Sequence, residues 1–226
     1  MPPPDPAPPG DGPLFTYPLA GTPDDPAGSG PERVEANARL TGLTAAVLLV
    51  LLAIEGFSIL RVGRHLSLHV FVGMMLVPVV VLKMASTGWR FVRYYRRDPA
   101  YRAKGPPPLL LRLLGPLVVL LTVAVLATGI LLLLGPSSLR QSMSLLHRAS
   151  FILWFAVMTV HVVGHIAETS RLAPADLYHR TRRQVRGADT RLWVVAASLV
   201  VGAVLGWATL PTVGHWLVGG PFRPVG

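Results

Sequence analysis

Five apolar runs, each about as long as a bilayer crossing, divide the chain; they fall near residues 38–60, 66–88, 109–134, 144–167 and 192–210. A spanning helix needs roughly 20 such residues to cross a hydrocarbon core about 30 Å thick. Inside lipid, a segment of this kind must satisfy its own backbone polar groups, and the α-helix does so. The predicted fold is all-α, an integral membrane bundle of five transmembrane helices. Composition agrees with that reading. Hydrophobic residues make up 51% of the 226 and charged residues only 14%, against about 25% in a soluble domain, and mean hydropathy is +0.51. No room remains for a separate soluble domain of ordinary size.

Charge sets the expected orientation. Residues 83–112 hold eight Lys or Arg and residues 171–191 hold six, whereas the opposite side has Arg61, Arg64, Arg140, Arg148 and Arg223. Basic excess belongs to the cytoplasm. The N-terminus is therefore expected inside and the C-terminus outside, in a multi-pass protein of the cell membrane. The net charge of +10 is explained by these loops and by lipid phosphate, so no nucleic-acid partner is required. The stretch WRFVRYYRRDPAYRAKGPPP, residues 89–108, alternates arginines with aromatics and reads as an interfacial segment in the headgroups.

Residues 1–37, rich in Pro, Gly and Asp, read as a cytoplasmic tail unable to fold alone, without the basic start and apolar core of a signal peptide. Residues 38–218 form the transmembrane domain, and 219–226 a short extracytoplasmic tail. There is no cysteine. That excludes disulfides, cysteine-held iron–sulfur clusters and covalently attached c-type haem.

Histidines carry the chemistry. The run HRASFILWFAVMTVHVVG, residues 147–164, holds His147 and His161 fourteen residues apart. Fourteen residues are about 3.9 helical turns, so both side chains leave one face, roughly 21 Å apart along the axis. His69 lies in the first turn of the second predicted helix, and that helix starts on the same side of the membrane as the fourth. His69 and His147 are thus expected at matching depth near the outer face. Two imidazoles facing across a bundle suit a six-coordinate b-type haem, an electron carrier without an open coordination position. Close approach of a macrocycle favours glycine on the flanking helices. Gly42 and Gly56 on the first helix, and Gly115 and Gly129 on the third, repeat the spacing of fourteen, with Gly56 and Gly129 level with the outer histidines.

The inner level is less complete. Fourteen residues after His69 stands Lys83, not histidine. Three readings stay open: Lys83 ligates iron as a neutral amine, His161 pairs with a histidine elsewhere, or no inner haem is present. In the last case His161, His165 and Lys83 form a polar pocket for a quinone headgroup or haem propionates. Glu55, near the outer end of the first helix, reads either as a proton path or quinol-site acid, or as a partner of Arg61 or Arg64. Arg64 and Arg148 are candidates for the propionates. His65, one turn before His69, competes with it as ligand, and Met74 and Met75 are close enough to touch a haem. His161 and His165 are an i, i+4 pair, but nothing completes a zinc or copper sphere around them.

This pattern resembles the bacterial di-haem cytochrome b superfamily, which includes cytochrome b561-like proteins and the membrane subunits of formate dehydrogenases and nickel–iron hydrogenases. The likeness covers about residues 40–210. It implies that an outer haem b is held by His69 and His147, and that His161 is a ligand of a second. The family partner of His161 often lies at the start of helix one, where this chain reads EANARLTGL and has no histidine. The likeness further implies a bacterial cytoplasmic membrane subunit that exchanges electrons between quinone or quinol and a redox partner, extracytoplasmic or in the membrane, with catalysis supplied by another protein. A haem-free structural or assembly protein and a small transporter are the competing classes.

Overall fold

A computed structural model describes residues 30–105 and 109–219, the side chains of 215–219 excepted. Among the described residues the chain is entirely helical between its loops. In order come α1 (Gly30–Ile59), α2 (Val62–Tyr95), the short α3 (Pro99–Ala103), α4 (Leu109–Leu134), α5 (Arg140–Leu172), the short α6 (His179–Arg182) and α7 (Ala188–Gly219). Five of these are long and apolar enough to cross a membrane. The protein is a multi-pass membrane protein, as a cytoplasmic-membrane location requires.

The long helices overrun their predicted limits. Residues 30–37, assigned above to the tail, are the first two turns of α1; residues 1–29 and 220–226 lie outside the described part. Residues 89–95 are not a separate interfacial segment but continue α2 to Tyr95. Arg93 stacks over Trp89 at 4.7 Å, so guanidinium and indole support each other along the helix. The helix ends in a Schellman arrangement: Arg97 takes a left-handed φ of 62°, and the amides of Arg97 and Asp98 donate to the carbonyls of Tyr94 and Arg93. The Asp98 side chain then caps α3, accepting from Ala100 N at 3.1 Å, with Pro99 in the first turn. At the other end of α2, the backbone kinks at His65 (φ −115°, ψ 24°) just after the tight turn from α1.

Packing is pairwise. α1 lies against α2, α4 against α5, and α7 against the far side of α2. The α2–α7 contact uses a Gly-x-x-x-Gly spacing. A Cβ at Gly202 would stand 2.6 Å from the Met75 carbonyl, and one at Gly206 would stand 2.8 Å from Phe71. Toward the end that the charge bias puts inside, α1 and α5 also close up, where a Cβ at Gly42 would meet that of Leu172 at 2.6 Å. Between the α1–α2 pair and the α4–α5 pair the bundle holds one large cavity, about 2100 Å³ in volume.

A buried ion-pair network ties the basic loop between α5 and α7 to α1. Asp176, 1% exposed, accepts from Arg191 Nη2 at 2.8 Å and from Arg39 Nη1 at 3.4 Å. Arg39 also donates to the Thr181 carbonyl at 2.8 Å, and Arg191 to that of Arg186 at 2.7 Å. Each charge therefore has both a counter-ion and further hydrogen bonds, the condition under which burial is tolerated.

Candidate functional site

One end of the cavity, the outer one in the orientation expected from charge, is organised by His69 on α2 and His147 on α5. Their ring centres lie 6.3 Å apart with planes at 73°. Two imidazoles bound in line to one metal, at about 2 Å from each nitrogen, would have their ring centres about 6 Å apart. The separation is compatible with that arrangement.

Hydrogen bonds fix which nitrogen each ring presents. His69 Nδ1 faces Glu55 Oε1 at 2.8 Å and Ser58 Oγ at 3.3 Å. His147 Nδ1 lies 3.1 Å from the Val125 carbonyl and 3.2 Å from Thr128 Oγ1. Carbonyl oxygens only accept, so His147 carries its proton on Nδ1; the Glu55 carboxylate imposes the same tautomer on His69. In the neutral form of each ring, the Nε2 lone pair is then the one left for a metal. A ligating histidine commonly donates its other N–H to a carboxylate or backbone carbonyl in this way.

The flanking glycines divide. A Cβ at Gly129 would meet His147 Cε1 at 3.1 Å, so any side chain there would press on the ring. Gly56 does not share that role: it is exposed, its Cβ position has nothing within 4 Å, and it does not line the cavity. The α1 helix turns that face outward in order to aim Glu55 and Ser58 inward. Arg64 is likewise exposed and off the cavity wall, whereas Arg148 and Arg140 line its outer end. His65 packs on Phe57, 5.6 Å between centres, and does not line the cavity. Met74 lines it, while Met75 is spent under Gly202. Glu55 bonds His69 and Ser58 rather than Arg61 or Arg64.

The inner end carries Lys83, His161 and His165, with two partners that sequence reading missed. Glu168 lies 3.6 Å from both His165 Nδ1 and Lys104 Nζ. Burial and the neighbouring Arg90 hold the Lys104 ammonium below the usual lysine pKa, although Glu168 opposes the shift. Lys83 Nζ donates to the Thr41 carbonyl at 2.8 Å. Midway between the levels, Trp154 Nε1 donates to Thr122 Oγ1 at 2.9 Å.

These residues fit one bis-histidine haem, at the outer level. The macrocycle supplies four nitrogens and the chain two, so the absence among the described residues of a cluster of three or more His, Asp or Glu is no obstacle. His161 is different. The histidines lining the cavity are His69, His147, His161 and His165, and the ring beside His161, 4.7 Å away, is His165 of the same helix. No facing histidine completes an inner pair among the described residues. Lys83 gives one of its protons to the Thr41 carbonyl, the role of an ammonium donor rather than of an iron ligand.

No protein-family model, curated protein or solved structure matches the chain. The likeness to di-haem cytochromes b rests on the residues quoted for it.

Proposed function

We propose that the protein is a membrane b-type cytochrome that holds one haem between His69 and His147 and passes electrons between quinone and a redox partner protein. The observation that carries the reading is the matched pair of imidazoles, 6.3 Å apart, with both Nδ1 atoms tied back.

A bound haem would supply a one-electron couple, with His69 and His147 as the residues that would hold it. The chain's own residues do the rest. Glu55 and Val125 orient the two rings and fix their tautomers, and Gly129 gives His147 its clearance. Arg148 and Arg140 put cations on the outer wall of the cavity, where haem carboxylates need donors. The walls around these groups are mostly apolar. Among the described residues no soluble catalytic domain accompanies the bundle, which suits a subunit serving another protein's chemistry.

The test is reduction by quinol. Detergent-purified protein mixed with decylubiquinol or menadiol under nitrogen should develop the α-band of a reduced b haem, and the His69→Ala and His147→Ala variants should not. Haem that dithionite reduces but neither quinol does would overturn the quinone-linked half of the proposal.

A further inference from the structure

The cavity is longer than one occupant. His69 and Lys83 stand fourteen residues apart on α2, as do His147 and His161 on α5, and all four line it. That spacing is about 21 Å along each axis. The volume of about 2100 Å³ exceeds the about 300–1,000 Å³ of an ordinary small-molecule site. A group ligated by the outer histidines leaves the inner end open.

The inner end is built from polar groups whose partners are incomplete. An ammonium has three protons to donate. Lys83 uses one on the Thr41 carbonyl, and no other hydrogen bond or ion pair engages it among the described residues. The nearby acid is already engaged, since Glu168 faces Lys104 and His165. The imidazole of His161 has neither nitrogen bonded among the described residues, and its Nδ1 is buried. Arg90, on the same wall, adds positive charge. A cation at membrane depth is expensive and ordinarily marks a ligand or ion path. What these groups lack is an oxygen acceptor, and what surrounds them is apolar wall.

We infer that the inner end of the cavity is a second ligand site, which takes the oxygen-bearing head of an apolar-tailed molecule between Lys83 and His161. That chemistry has two sources in a membrane, the carbonyls of a quinone and the phosphate of an acidic phospholipid. The inference does not rest on haem, because none of the groups that carry it touches the outer histidines.

The experiment titrates decylubiquinone, and separately dioleoylphosphatidylglycerol, into delipidated protein in detergent. The readout is quenching or shift of tryptophan fluorescence, since Trp154 lines the same cavity. At least one probe should saturate. Lys83→Met should weaken it by about tenfold or more, the loss of one charge-assisted bond, and Lys83→Arg should restore most of the affinity. His161→Phe, which keeps a ring and removes both nitrogens, gives the same test if the Lys83→Met protein is not monodisperse. Gly56→Ala, at an exposed position off the cavity wall, should bind as the parent does. Because the readout is ligand binding and not reduction of a haem, failure of the haem reading and failure of this one are told apart. Quinone alone saturating makes this end the quinone site, and phosphatidylglycerol alone makes it a lipid site. Neither probe saturating, affinity indifferent to both Lys83→Met and His161→Phe, or a second haem lost in His161→Phe would each overturn the inference.

Discussion

Glu55 accepts a 2.8 Å hydrogen bond from His69 Nδ1, whereas the corresponding nitrogen of His147 meets only a neutral carbonyl and a hydroxyl. The two imidazoles are therefore electronically unequal. A carboxylate partner makes an imidazole more basic and favours the higher oxidation state of the metal it holds. Glu55→Gln keeps the shape of the contact and removes its charge. The expected outcome is a rise in haem midpoint potential of about 60 mV, a tenfold change in relative affinity for the two oxidation states of a one-electron couple. A redox titration of the purified variant checks it; an unchanged potential with haem retained would mean that Glu55 does not tune the couple.

Gly129 and Gly56 make a paired prediction. A leucine at Gly129 projects into the space held by the His147 ring, whose Cε1 would already lie 3.1 Å from a Cβ. Gly129→Leu should lose haem while eluting as a folded protein in detergent. Gly56→Ala adds a methyl group where nothing lies within 4 Å and should retain full haem. The comparison is read from absorbance ratios of haem to protein.

The Asp176 network predicts a stability effect remote from the cavity. Arg39 and Arg191, 4% and 7% exposed, would be left buried without their carboxylate in Asp176→Ala. Breaking one member of a buried ion group costs about 3–5 kcal/mol. Asp189→Ala, which removes the exposed partner of Arg182, should cost under about 1 kcal/mol. Denaturant unfolding of both variants in the same detergent tests the contrast.

Much of this was legible before any fold was known, and the reason is locality. Hydropathy over twenty residues marked each crossing, and the shared starting side of the second and fourth helices, with each histidine in the first turn predicted for it, put His69 and His147 at matching depth. What stayed hidden depends on how one helix is rotated against another. The pairing of Glu55 with His69 is set by the turn at residues 60–64 and the kink at His65, and nothing local announces it. The same rotation sends Gly56 outward, and a glycine carries no polarity to reveal its face. Asp176 sits in a basic loop, and its burial rests on pairing with Arg39 of α1 and Arg191 of α7, a contact between segments far apart in sequence. Glu168 lies one turn after His165, an i, i+3 spacing that could have been noticed.

Orientation is open to direct labelling, because the chain has no native cysteine. Ser138, in the exposed turn before α5, and Arg96, exposed at the end of α2, lie on opposite sides in the expected arrangement. Ser138→Cys should react with a membrane-impermeant maleimide in intact cells or spheroplasts, and Arg96→Cys only after lysis. The reverse pattern would place the basic loops outside.

The central claim is a single haem between two histidines, and a pyridine haemochrome assay on detergent-purified protein, paired with a reduced-minus-oxidised spectrum, tests it most directly. One b haem per chain, lost in both His69→Ala and His147→Ala and retained in His161→Phe, is the predicted result. No haem after growth with ample supply, or haem that survives both outer substitutions, would contradict it.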